Sequence, residues 1–307
     1  MTDPLITAPP AAPEPVPEPG TPIKNMSPGR LTWRRFTRNR LALAGAAVLV
    51  AMLLLIVVGP PIYYATGGTG PYQIVCGPFQ APGDGHLLGC DHLGRDYFSR
   101  LLDGGRVSLL VGFSVAALTT TLGTLVGAVA GYLGGRFDNL LMRFADTVMA
   151  LPSLFLILAA AAILGPSLTN TIIILSLIEW TTAARLVRGD FLSLRERDYV
   201  LAARSQGLPG WRIVRQILIN AAPTILVATT LSVAMAILAE SGLSYLGMGT
   251  QPPQASWGYL LSDAQSSFLA RPYLAIWPGV LIMLTVLAAN FVGDGLRQAL
   301  DPRLRGR

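Results

Sequence analysis

The sequence predicts an all-α integral membrane protein with six transmembrane helices, and three observations carry that prediction. Mean hydropathy is +0.52, with 52% hydrophobic and only 13% charged residues, too apolar for a soluble domain of 307 residues. Six apolar runs are each long enough to cross about 30 Å of hydrocarbon at about 1.5 Å per residue. The basic residues alternate in density between successive connectors, as the positive-inside rule expects.

Residues 1–28 are dense in Pro and poor in aromatics, so they cannot bury enough surface to fold and are expected to form a disordered tail. GRLTWRRFTRNR, residues 29–40, mixes Trp33 and Phe36 with Arg34, Arg35, Arg38 and Arg40. That mixture predicts an interfacial basic helix lying against membrane lipids. Residues 41–64 form the first apolar run, read as a retained helix because forty residues precede it and no A-x-A cleavage site follows at once. A loop is expected over 65–106, then spans at 107–132, 144–164, 169–187, 223–246 and 273–293 within a core of 107–300, and a short C-terminus at 301–307.

Lys and Arg decide the sidedness. Segments 1–40, 133–143, 185–222 and 294–307 hold 19 of them, and the remaining connectors hold 4, which predicts both termini in the cytoplasm. The net charge of +6 is therefore read as membrane orientation, with no nucleic-acid partner. Cys76 and Cys90 fall together in the 65–106 loop, on the outer side, where a disulfide can persist. A bridge would stabilise the loop by ~3 kcal/mol; two unpaired thiols are the alternative.

Within the second span Gly123, Gly127 and Gly131 recur every four residues and present one bare helical face, suited to close helix packing. Glu179 lies in the fourth span and Glu240 near the outer end of the fifth. Carboxylates are costly in a bilayer, so they either line a polar path or make interhelical hydrogen bonds. Trp180, beside Glu179, either lines that path or packs.

No catalytic residue emerges. There is no G-x-x-x-x-G-K-[ST], and the single lysine, Lys24, sits in the tail, so the chain has no P-loop for ATP. His86 and His92 lack metal-ligand spacing, and neither H-E-x-x-H nor G-x-S-x-G occurs. No metal or cofactor is expected in this chain, and energy for any transport must come from an ion gradient or a partner.

LRERDYVLAARSQGLPGWRIVRQILINAAP, residues 194–223, is polar between two apolar spans. A short helix with the small residues Ala202, Ala203 and Gly207 is expected, then a turn at 208–210. A second helix starts near Trp211, with Trp211, Val214, Leu218, Ala221 and Ile225 on one face and Arg212, Gln216 and Asn220 opposite. Such a unit fits a groove on another protein, or rests on lipid headgroups as a linker.

This stretch resembles the EAA loop through which bacterial ABC importer permeases engage their ATPase subunits. WTTAARLVRGDFLSLRERDYVLAARSQG (180–207) is similar to the W-x-x-x-A-R-x-x-R plus D-Y-V-x-A-A-R pattern of the peptide-importer branch. GCDHLGRDYFSRLLDGGRVSLLVG (89–112) resembles its G-T-D-x-L-G-R-D-x-x-S-R segment, and LSYLGMGTQPPQASWG (243–258) its L-S-F-L-G-L-G-x-x-P-P-x-x-S-W-G segment. WRRFTRNRLALAG (33–45) fits the C-type subunit of dipeptide and oligopeptide permeases. Two departures stand out: Leu201 occupies the acidic position of EAA, and Ile219 precedes Asn220 where the branch usually has Pro. Cys90 replaces the usual Thr before Asp91, which favours the bridge to Cys76.

The resemblance implies the ABC importer permease (MetI-like) fold and a non-catalytic subunit of the bacterial inner membrane. It implies a heterodimer with a homologous permease subunit, two ATPase domains that bind ATP and Mg, and an extracytoplasmic substrate-binding protein. A coupling loop at 190–222 would dock the ATPases through Leu201, Ala202, Ala203, Arg204, Gly207 and Trp211. Di- or oligopeptides are the implied cargo; nickel chelates, glutathione and haem are handled by relatives. An ion-gradient secondary transporter and a membrane scaffold are the readings from other classes.

Overall fold

The computed structural model describes residues 28–83 and 85–300, so most of the tail expected to be disordered and the segment 301–307 lie outside the described residues. Among those described, the regular structure is helical: α1 (Pro28–Arg38), α2 (Arg40–Ala65), α3 (Tyr97–Leu133), α4 (Gly135–Ala150), α5 (Ser153–Leu164), α6 (Leu168–Leu194), α7 (Asp198–Ser205), α8 (Gly210–Tyr245), α9 (Trp257–Ala264) and α10 (Tyr273–Leu300). Five of these, α2, α3, α6, α8 and α10, are each long and apolar enough to cross a membrane.

Side-chain neighbours fix the direction of each span. A Cβ on Gly123 would meet Ala183, and one on Gly131 would meet Phe191, so α3 and α6 run parallel. Ser108 meets Glu240 while Gly112 meets Ile237, so α8 runs antiparallel to α3. Gly45 packs on Ala288 and Gly295 on Ala42, which sets α10 antiparallel to α2.

Because α3 and α6 are parallel, the chain between them must return to the end from which α3 started. The α4–α5 pair makes that crossing, bent by 86° at Leu151–Pro152. The continuous third span expected at 144–164 is thus a broken one. Pro152 supplies no N–H to continue the α4 ladder, and it opens α5 instead, where that lack costs nothing. With the broken span counted there are six crossings, and the first and last spans begin and end at the same end of the bundle as α7.

One further boundary differs from expectation. Helix α3 starts at Tyr97 rather than near 107, capped by Asp96, whose side chain accepts from the Ser99 N–H at 2.8 Å. The charges that read as loop each meet a partner: Arg100 Nε lies 3.2 Å from Asp91, Asp103 accepts from Tyr72 OH, and Arg106 donates to the Ile56 carbonyl. The second helix of the polar stretch runs into the fifth span without a break, as α8 continues from Gly210 through Pro223 to Tyr245. Only α7 and its short connectors remain as a separate unit.

The N-terminal helix α1 folds against the end of α10. Phe36 buries itself with Ala42 and Ala299, while Trp33 is 68% exposed and the arginines line its outer faces. Asn39 breaks it from α2, accepting from the N–H groups of Leu41 and Ala42 and donating to Gln298 at 3.1 Å.

Candidate functional site

Two regions concentrate the predicted site residues. The first is α7, which rests on the beginning of α8. Val200 and Ala203 point down into a cluster with Val187, Phe191, Ile213, Ile217 and Ala221. Leu201, Ala202, Arg204, Ser205, Gln206 and Gly207 face outward. Ala203, expected on the docking face with Ala202 and Gly207, is instead 6% exposed and seats the helix. Val200 and Ala203 lie three apart and share one side of the helix, whereas Ala202 is rotated about 100° away.

Of the apolar face expected on α8, Ala221 is buried and Val214 and Ile225 pack against the same cluster. Ile213, Ile217 and Ala221 are buried, while Trp211 and Leu218 are exposed and Trp211 carries the Arg212 guanidinium 5.3 Å over its ring. Helix α7 ends in a Schellman motif: Leu208 N–H donates to Ala203 C=O at 3.1 Å and Gly207 N–H to Arg204 C=O at 2.9 Å. Gly207 sits at φ +71°, in open space, which is why glycine stands there.

Two surface hollows flank this helix. One of about 450 Å³ is lined by Tyr132, Arg195, Leu201 and Arg204, and one of about 460 Å³ by Tyr199, Ala202, Gln206 and Asn220. The Tyr199 phenol is pushed above its ordinary pKa, chiefly by burial.

The second region is a cavity of about 610 Å³ between the α4–α5 bend, α6 and α8. Glu179 lines it with Thr181 and Thr182, opposite Leu231, Ser232 and Met235, and the broken backbone at Leu151–Pro152 forms a third wall. Among the described residues no group pairs with the Glu179 carboxylate.

Trp180 does not line this cavity. It packs with Ala145 and Ala184 and stacks on Phe144 at 6.1 Å. Glu240 is separate too: fully buried, it accepts from Ser244 Oγ at 2.7 Å and Ser108 Oγ at 3.2 Å. Ser108 Oγ accepts in turn from the Trp257 N–H at 3.1 Å, and Ser244 Oγ from the Thr250 N–H at 3.1 Å. Glu240 thereby ties α3, α8 and α9 into one knot.

The glycine stripe faces α6 at very short range. A Cβ at Gly123 would lie 2.5 Å from that of Ala183, one at Gly127 would strike the Ala184 carbonyl, and one at Gly131 would lie 2.5 Å from Phe191 Cβ.

At the opposite end of the bundle, Cys76 and Cys90 are joined in a disulfide with Cα atoms 6.5 Å apart. Beside it lies a charged cluster that sequence spacing hid. Asp91 accepts from Arg95 Nε at 2.7 Å and from the N–H groups of Leu93 and Arg95 at 2.9 Å, and Arg100 Nε lies 3.2 Å away. His92 Nδ1 is 2.9 Å from Asp263, and the ligand atoms of Asp91, His92 and Asp263 lie within 4.8 Å of one another. Asp91 is already engaged by both arginines. His86 Nδ1 lies 2.7 Å from Asp96, which also accepts from Tyr63 OH at 2.9 Å. Nearby, the Tyr72 phenol is pushed up to about 12 by burial and by its 2.6 Å hydrogen bond to Asp103.

Comparison with known proteins places this architecture. The family model described as binding-protein-dependent transport system inner membrane component matches residues 123–306. The N-terminal TM domain of oligopeptide transport permease C matches residues 27–82. A dipeptide transport system permease protein of Alkalihalophilus pseudofirmus is 37% identical over 98% of this chain and 97% of its own length. That of Bacillus subtilis is 38% identical over 89% and 85%. A glutathione transport system permease protein of Pectobacterium atrosepticum is 39% identical over 91% and 92%. The six-crossing all-helical bundle with α7 outside it and the matches along nearly its whole length agree, and the chain belongs to the family of binding-protein-dependent transport system inner membrane components, as a multi-pass permease subunit with the MetI-like fold.

Proposed function

We propose that this chain is one permease subunit of an ATP-driven importer of di- or oligopeptides. The observation that carries this reading is α7, a short helix held outside the bundle with Leu201, Ala202, Arg204 and Gly207 turned outward at the end where the basic residues collect. Those 19 basic residues against 4 favour the cytoplasm for that end and for both termini, and the outside for the disulfide-bearing loop. On this reading two ATPase domains, which bind ATP and Mg, grip α7. A homologous permease completes the pathway, and an extracytoplasmic binding protein delivers cargo to the loop.

Coupling then works by packing. Closure of the ATPases pushes α7, and because Val200 and Ala203 are locked onto Ile213 and Ile217, the push passes into α8. Rigid-body rocking of the two permeases switches the side to which the pathway opens. Leu201, 49% exposed, stands where an acidic residue would offer a charge, so the contact is apolar and shape-dependent. Glu179, facing the cavity, is the pathway residue; Glu240 and Trp180 serve the scaffold.

The peptide cargo is supported by the dipeptide permeases among the relatives. The glutathione permease, itself named for a peptide-like solute, supports the alternative cargo within the same class. The test is reconstitution with the candidate ATPases and binding protein, followed by ATP-dependent uptake across di- to octapeptides and metal chelates. Uptake that stops when the ATPase P-loop lysine is replaced supports the importer; uptake driven by an ion gradient without any ATPase refutes it. A response to non-peptides only would refute the cargo.

A further inference from the structure

The 610 Å³ cavity holds an unpaired carboxylate beside a helix break, and these two features are independent. Non-helical backbone at membrane depth is tolerated where it is buried in protein or lines a watered cavity. A lone carboxylate in a span is costly unless it meets a cation or water. Both costs fall on the same small volume, between Leu151–Pro152 and Glu179.

The other walls define the chemistry of an occupant. Among the described residues no Lys, Arg or His lines the cavity, so the Glu179 carboxyl is its one ionisable side chain. Thr182 and Ser232 supply hydroxyls, which donate and accept. Met149 and Met235 supply flexible, polarisable apolar surface that adapts to varied shapes. Its volume falls within the range of about 300–1,000 Å³ seen for small-molecule sites.

We propose that Glu179 receives the terminal ammonium of a transported peptide, with the hydroxyls of Thr182 and Ser232 taking its first amide and the methionines its side chain. This rests on the peptide-importer reading above. It assigns to the permease a check on the one charged group that every unmodified peptide carries at its leading end, independent of side-chain sequence. A cavity with one carboxyl group and adaptable walls suits that demand.

The test uses the complete importer of permeases and ATPases in nanodiscs, without binding protein, and two tripeptides labelled at the carboxyl end, one with a free and one with an acetylated amino group. Wild type is expected to bind the free form about 10- to 100-fold more tightly, the range for one charge-assisted hydrogen bond. Glu179→Gln should bind both forms alike, at the level of the acetylated peptide, and Glu179→Asp should restore part of the difference. Equal binding of both forms by wild type, no binding of either, or a parallel loss of both in Glu179→Gln overturns the assignment. Parallel uptake assays with binding protein separate the two readings. If the free tripeptide is taken up normally while binding shows no discrimination, only the role of Glu179 falls; if no peptide is taken up, the importer's peptide reading falls with it.

Discussion

Arg188 of α6 grips Asp138 of α4 through two parallel N–H···O bonds, 2.5 Å from Nε and 2.6 Å from Nη2. This fork holds the first half of the broken span against a helix that runs past it, at a point where α4 has few apolar contacts. Asp138→Asn should lower stability by about 1 kcal/mol, the low end for a charged pair because the Arg188 side chain is 34% exposed. Arg188→Lys should not substitute, since an ammonium cannot present the planar fork. The apparent thermal midpoint of the purified complex measures both.

The glycine stripe makes a sharper prediction because a control sits on the facing helix. Gly127→Ala places a methyl against the Ala184 carbonyl and the Arg188 backbone, and the backbone cannot yield. A loss of about 1–3 kcal/mol is expected from overpacking. Gly189→Ala, on α6 with nothing within 4 Å, should be neutral or slightly stabilising. Equal midpoints for the two variants would contradict the packing described for α3 and α6.

Substitutions on α7 should divide by face. Ala203→Asp drives a carboxylate between Ile213 and Ile217 and should dislodge the helix, giving new proteolysis near residue 205. Ala202→Arg, on the outer face, should leave protease resistance unchanged and remove coupled uptake. Gly207→Ala tests strain alone, at about 1–2 kcal/mol for a left-handed residue. Gly207→Arg should add a coupling defect to that strain. An Ala202→Arg importer with normal uptake would rule out this face as the ATPase contact.

Asp91 balances two guanidiniums that are 6% and 0% exposed, Arg95 and Arg100. Asp91→Asn should therefore be among the most damaging single changes, costing about 3–5 kcal/mol because it leaves buried charge uncompensated. Low yield of assembled protein, rescued in part by Arg95→Met in the same chain, is the expected outcome. Rescue would identify charge imbalance rather than lost packing as the cause.

The disulfide between Cys76 and Cys90 closes a loop with a sequence separation of 14. Replacing both with Ser should loosen the loop by about 3 kcal/mol in the chain-entropy model. Limited proteolysis should then cut within 77–89 while the helices stay resistant, and reductant should reproduce the effect in the unaltered chain.

Hydropathy located the apolar runs in the sequence because membrane burial depends on composition averaged over some twenty residues. That same averaging hid the break at Pro152, whose apolar neighbours keep the window greasy. Helix phase was legible only to within a residue or so. Trp211 and Leu218 read as core because they are apolar, yet a permease surface that meets lipid or another chain exposes such residues without loss, and the buried stripe is Ile213, Ile217 and Ala221. The Glu240 knot and the Asp91 cluster depend on partners as far as 171 residues away in sequence, a distance that no local pattern encodes. The small residues of the 201–207 stretch were visible, but which of them looked outward needed the seat that Phe191 and Ile217 provide.

Helix α8 is one rod of 36 residues, about 54 Å long, running from the seat of α7 to the knot at Glu240. A rod this long behaves as a lever. Tilting it by about 10° at one end sweeps the other through about 9 Å. Pro223 is the one place where its hydrogen-bond ladder is interrupted by a missing N–H, so stiffness there sets the gearing between the two ends.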